Sequence, residues 1–201
     1  MPRFGLFALL VFAPLLTGCV AAATTAATQV GIATADKRSY GTSLDDTIIY
    51  TAINEKFLNA DVNDLLINAT INVRQGRVLL TGNVNSETTA QRATELAWQV
   101  KGVEEVINEI VVIPDTEVWD TANDIAIKKN LETRLLLTKG VFVIDYSIDV
   151  VNGTAYLLGY CHSQEEMDKA LNVARTTRGV RRVINHLRIL APVDSTQGMP
   201  R

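Results

Sequence analysis

The chain has 201 residues, 47% of them hydrophobic and 20% charged, with a formal net charge of −3. That balance excludes wholesale disorder, and two cysteines exclude a disulfide-rich scaffold or a thiolate zinc cluster. Mild acidity argues against a general nucleic-acid binder, while a mean hydropathy of +0.13 raises the question of a membrane span.

The apolar excess begins at the N-terminus. Met1-Pro2-Arg3 carries one basic residue, and Phe4 to Leu16 is an almost unbroken apolar run. At about 13 residues it is too short to span a bilayer, which takes ~20, but it suits a signal h-region. Leu16-Thr17-Gly18-Cys19 follows and resembles a bacterial lipobox. The small residues fit a signal-peptidase groove, and the Cys19 thiol is the group there that takes a thioether-linked lipid. Residues 1–18 are thus expected to leave as a lipoprotein signal, with Cys19 as the lipidation site. Val20 follows in place of an Asp, which favours the outer membrane over inner-membrane retention. No later stretch approaches 20 apolar residues, so the mature chain is expected to be anchored and not to span. Residues 19–43, rich in Ala, Thr, Gly and Ser, read as a flexible tether reaching roughly 25–30 Å.

Beyond the tether one pattern occurs twice. Gly76, Gly82 and Gly102 return as Gly153, Gly159 and Gly179 at a single spacing. Ile71, Val73 and Leu80 return as Ile148, Val150 and Leu157 at the same spacing, and Val106-Ile107-Asn108 as Val183-Ile184-Asn185. The leading helix is displaced by one residue: Asp46, Ile49, Ile53 and Phe57 match Asp124, Ile127, Leu131 and Leu135. Two tandem domains follow, residues 44–113 and 119–191, with a linker at 114–118 and a tail at 192–201.

Each copy reads as helix, strand, strand, helix, strand. In the first, Ile49, Ile53 and Phe57 form a helical stripe behind Asp45 and Asp46 as N-cap candidates. Ile67, Ala69, Ile71 and Val73 alternate as in a strand, and Gln75-Gly76 turns the chain into Arg77–Val84. Ser86 caps a second helix, and in the other copy Ser163 with Glu166 has capping-box spacing. Gly102 and Gly179 end these helices, and residues 103–113 and 180–190 form the last strands. The expected class is α+β: two αββαβ domains, each with two helices on one face of a three-stranded sheet. Domains of ~70 residues are near the lower limit for an independent core, so packing of one on the other is expected.

Catalytic sets are absent from the pattern. Cys161 and His162 are adjacent, but neighbours on a strand point to opposite faces. Cys161 replaces Val84 of the first copy, as a small buried hydrophobe would. His186 replaces Glu109, and Glu104-Glu105 become Arg181-Arg182, so neither position keeps its chemistry. No enzyme, metal or cofactor is expected, apart from the covalent lipid on Cys19.

The stretch Gln75-Gly76-Arg77-Val78-Leu79-Leu80-Thr81-Gly82, the pair Gly102-Val103 and the ending Val106-Ile107-Asn108 resemble the BON domain. The same marks stand in Asn152-Gly153 to Gly159, Gly179-Val180 and Val183-Ile184-Asn185. A lipobox followed by two such domains is similar to the dual-BON outer-membrane lipoproteins associated with the division site, and the stretch Asp36 to Asp46 strengthens the match. The resemblance implies outer-membrane integrity as the role and anionic phospholipid, such as phosphatidylglycerol or cardiolipin, as the partner of the second domain. Relatives carry an exposed aromatic within the first helix of that domain; Ala126 stands there in this chain.

Charge agrees with that division. Residues 44–113 hold ten acidic and five basic side chains, a net of −5; residues 119–191 hold eight and ten, a net of +2. On the first helix of the second domain Ile125, Lys129, Glu132 and Leu136 follow at spacings of 4, 3 and 4, with Lys128 and Lys139 nearby. With Ala126 and the upstream Trp119 they are the expected lipid-binding residues. Arg178, Arg181 and Arg182 form a second basic patch. The competing reading is an adaptor for envelope assembly or division proteins, using the acidic first domain and the helix that carries Trp98.

Overall fold

A computed structural model describes residues 37–60, 63–113 and 120–190. The signal segment, Cys19, the tether up to residue 36, the linker with Trp119, and the tail lie outside the described residues.

The first repeat runs α1 (Lys37–Asn59), α2 (Asn63–Asn68), β1 (Ala69–Arg74), β2 (Arg77–Val84), α3 (Glu87–Trp98), β3 (Glu105–Asn108) and β4 (Val111–Val112). The second runs α4 (Thr121–Leu137), a 3-10 turn (Val143–Asp145), β5 (Tyr146–Val151), β6 (Thr154–Cys161), α5 (Gln164–Arg175) and β7 (Arg182–Ile189). In each sheet the hairpin pair is antiparallel, and the last strand joins the middle strand in parallel after its helix. The α+β reading and the helix-strand-strand-helix-strand order hold in both copies.

Several local expectations change. The first helix does not begin at Asp45 or Asp46. Its backbone is helical from Lys37, so residues 37–43 belong to it and not to a tether; no proline lies between Lys37 and Asp46 to stop it. Asp46 instead accepts from the backbone N–H of Gln75 (2.8 Å) and Gly76 (3.0 Å). Asp124 repeats this with Asn152 (2.6 Å) and Gly153 (2.9 Å). Each hairpin turn, left-handed at Gln75 and Asn152, is therefore clamped to the first helix of its own repeat. The cap of α4 is Asp120, which accepts from Asn123 N–H.

Ile67 is not in a strand. Asp64 accepts from the side chain of Asn68 and from the N–H of Asn85, which stabilises the short helix α2 and turns Leu65 into the core. The last strand of the first repeat starts at Glu105, because Val103 N–H still closes the preceding turn on Val100. It also breaks at Glu109 and Ile110, where the Asn108 side chain accepts from Ile110 N–H. Ser86 and Ser163 cap α3 and α5 as read, but the capping box is half formed: Ser163 accepts from Glu166 N–H, while the Glu166 carboxylate turns into the protein.

Helices cover one face of each sheet, giving two separate cores around Phe57 and Leu80 and around Leu131 and Leu157. The other faces pack on each other. Leu79 meets Val151, Tyr156 and Leu158, with Ile107 and Ile184 at the margin. Polar side chains close this seam. The Thr81 hydroxyl bonds to the buried Asp149 carboxylate. Arg77, 3% exposed, donates to Glu105 (2.7 Å) and to the carbonyl of His186 (2.9 Å), and lies over the Tyr160 ring. Arg74 donates to the carbonyl of Tyr146, and Asn152 to Asn83. The repeats thus run head to tail: the hairpin end of one meets the far end of the other.

Candidate functional site

On α4, Ile127, Leu131 and Leu135 recur every four residues and fill the second core. Arg134 donates to Val173, Thr176 and Thr177 at the C-terminal end of α5, which locks the two helices together. The face turned outward carries Ile125, Ala126, Lys129 and Leu136, all exposed. Glu132, half-buried, accepts from Lys129 (2.9 Å). Lys139 stands exposed in the following turn.

Lys128 does not join this face. Its ammonium reaches inward to Asp149 (3.2 Å), and burial of that carboxylate at the seam is what draws it there. Arg178, Arg181 and Arg182 are exposed but sit toward the N-terminal end of α4, the end of Ile125 and Ala126 and away from Leu136 and Lys139, beside the Asn152-Gly153 turn, where Arg181 N–H donates to Gly153. About 25 Å of helix separates the two ends, at ~1.5 Å per residue. Trp119 and Cys19 lie outside the described residues.

The end of α4 and the loop after it carry, beside the expected Leu136, apolar side chains that the sequence reading did not single out. Leu136 is 68% exposed, Leu137 79%, Phe142 54% and Ile144 83%. The signal was available: Leu135-Leu136-Leu137 and Val141 to Ile144 hold more apolar residues than one helical stripe and one strand entry can bury.

Beneath this corner lies a polar network. The Tyr146 hydroxyl donates to Glu166 (2.6 Å) and lies 3.2 Å from the Cys161 sulfur. Glu166 also accepts from the backbone N–H of Phe142 (3.0 Å) and His162 (2.8 Å). Cys161 is buried and His162 is exposed, on opposite sides of the strand end, as alternation requires. Burial alone would raise the Glu166 carboxyl; donation from Tyr146, His162 and Phe142 outweighs it and holds the group below the usual carboxylate range. Burial pushes the Cys161 thiol and the Tyr146 hydroxyl up. Among the described residues no group of three or more His, Cys, Asp or Glu side chains is placed to hold a metal ion, and no helix is long and apolar enough to cross a membrane.

A pH dependence follows from Glu166. Its folded-state pKa lies below its unfolded value, so its contribution is complete above about pH 4.5 and is lost as pH falls through the folded value. Glu166→Gln is expected to lower stability by about 1–3 kcal/mol at neutral pH and to flatten the acid limb. Denaturant titrations across that range check it; parallel acid limbs would contradict it.

A groove of about 470 Å³ lies at the N-terminal end of α4, between Ile67, Asn83 and Ile113 of the first repeat and Asp124, Ile125 and Lys128 of the second.

The model of the BON domain matches residues 45–114 and 123–191. The chain belongs to the BON-domain family. A protein of Anaplasma centrale described as an uncharacterized protein in the gshII 5′ region is 34% identical over 147 residues, 73% of this chain and 95% of that one. The outer membrane lipoprotein DolP of Haemophilus influenzae is 31% identical over 179 residues, 87% of this chain and 90% of that one. The 21 kDa hemolysin of Actinobacillus pleuropneumoniae is 32% identical over 151 residues, 74% of this chain and 76% of that one. Both BON domains thus coincide with the two observed repeats, and α4 is the first helix of the second BON domain.

Proposed function

We propose that the chain is a lipid-anchored protein of the outer membrane, fixed through Cys19 on the periplasmic side, that binds anionic phospholipid through the second BON domain and supports membrane integrity without catalysis. The observation that carries this is the outward face of α4, where Ile125, Leu136 and Lys129 are exposed together in the repeat with net +2. Apolar side chains flanked by lysines favour an anionic interface, at about 1 kcal/mol per well-placed cation. The similarity to the outer membrane lipoprotein DolP supports the location.

The described residues fall within one compact unit that holds both cores and the seam, and residues 36–201 contain it whole. That unit is expected to sediment with phosphatidylglycerol vesicles, less with phosphatidylcholine, and less as salt rises. Lys129→Glu with Lys139→Glu is expected to reduce partition about ten-fold or more. Equal binding to both lipids, or none, overturns the reading.

A second reading rests on the first BON domain, where Trp98, Ile48 and Tyr50 are exposed in a repeat of net −5. An adaptor for an envelope assembly or division protein would use this side. Partner capture that survives reversal at Lys129 and Lys139 but fails with Trp98→Ala would favour it.

A further inference from the structure

The corner formed by the end of α4 and the loop that follows is built differently in the two repeats. In the first, position 69 is Ala and Leu65 is buried in the core. In the second, Tyr146 occupies the corresponding strand position, its hydroxyl fixed between Cys161 and Glu166. Phe142, in the loop that stands where the first repeat has α2, is turned out and lies edge-on to the His162 ring at 4.9 Å. The first repeat has Val84 and Thr89 where the second has Cys161 and Glu166, so this brace belongs to the second repeat alone.

The loop is held from below. Glu166 accepts from Phe142 N–H, Asp145 N–H closes a turn on the carbonyl of Phe142, and Val141 and Val143 pack on the core. Val141 and Val143 therefore point in, while Phe142 and Ile144 point out beside Leu136 and Leu137. Four large apolar side chains project from one corner of the molecule. Of the acidic side chains around them, Glu132 pairs with Lys129 and Glu165 with Lys169, Glu166 is turned inward on the Tyr146 hydroxyl and the Phe142 amide, and Asp145 stands 4.0 Å from the His162 ring, which would pair with it only when protonated. Lys139, between the helix end and Phe142, is the cation there with no carboxylate partner among the described residues. A projecting apolar corner with one unneutralised ammonium at its base suits a bilayer of anionic phospholipid, into which apolar groups sink while the ammonium stays at headgroup level.

We infer that Phe142 and Ile144, on the loop braced by Glu166, form with Leu136 and Leu137 a rigid wedge that enters the acyl region of an anionic phospholipid bilayer. The inference rests on the proposed lipid binding and names the element that penetrates.

The test uses residues 36–201 and vesicles of equal parts phosphatidylglycerol and phosphatidylcholine. Phe142→Ser with Ile144→Ser is expected to lower partition about ten-fold or more, since each exposed side chain would otherwise leave water. Ile48→Ser, on the first repeat, is expected to leave it unchanged. Because both loop positions are exposed, the double variant should keep its amide spectrum. An independent measurement needs no substitution: in bicelles of the same lipids, a nitroxide on the acyl chain is expected to broaden the amides of residues 136–144. Wild-type binding with an unaffected double variant, or broadening confined to other residues, overturns the wedge and leaves the proposed function standing. A wild type that ignores these vesicles overturns both.

Discussion

Gly159→Ala is expected to cost the second BON domain about 3–5 kcal/mol. Gly159 lies at φ +145, and a Cβ there would run into the backbone carbonyl of Asp145 and the Cα of Tyr146. Neither obstacle is the tip of a flexible side chain, so neither can swing away. Gly82 in the first repeat has the same problem at φ +116 against the carbonyl of Asn68. Both glycines sit where the middle strand passes the entry to its neighbour, Tyr146 opposite Gly159 and Ala69 opposite Gly82. Against a total of ~5–15 kcal/mol such a loss is a large share. Thermal melts should fall by roughly 10 °C or more. Since the displaced carbonyl belongs to Asp145, the loop carrying Phe142 should loosen as well, seen as faster amide exchange at residues 141–146. A melt within about 1 °C of wild type would contradict the account.

Arg77→Leu is expected to destabilise both domains together, by about 2–4 kcal/mol. Arg77 is a residue of the first domain whose guanidinium is buried against the second. It donates to the Glu105 carboxylate and the His186 carbonyl, and it covers the Tyr160 ring. Leucine fills part of the volume but leaves that carbonyl without its donor and Glu105 with Arg188 alone. Arg77 holds the Glu105 carboxyl down against the upward pull of burial, so the variant should also lose part of its acid sensitivity. The decisive measurement is amide exchange along β7, on the far side of the seam. Increased exchange at His186 and Leu187 is expected; exchange changed only within the first domain would show that the seam transmits nothing.

Much of this architecture is legible in the residues. A doubled pattern with matching glycines needs only one repeating backbone, and Ile127, Leu131 and Leu135 point inward by period alone. What the pattern conceals is competition for the same side chain. Asp46 has the character of a helix cap, yet two turn amides with no other acceptor draw it away. Glu166 sits at capping-box spacing, yet a buried tyrosine hydroxyl and two amides outbid the helix end. Lys128 lies on the polar arc of α4, yet a buried carboxylate from another strand claims it. Each outcome depends on a group distant in sequence. The exposed corner is obscured differently: no helical or strand period singles out Phe142 and Ile144, which alternate with the inward Val141 and Val143 in a loop tied down by Glu166.

Sheets placed back to back leave the two helical layers on opposite outer sides, one belonging to the repeat of net −5 and the other to the repeat of net +2. The molecule therefore carries an electric dipole directed across its thickness, fixed by the fold and not by any flexible segment. Near a negatively charged plane this dipole acts as a compass needle, turning α4 and α5 toward the plane and α1 and α3 away. Ions damp the effect beyond ~8 Å at physiological salt, so the turning force is felt only in the last step of approach. Each time the molecule comes within that range of such a plane, it would meet it with the same side.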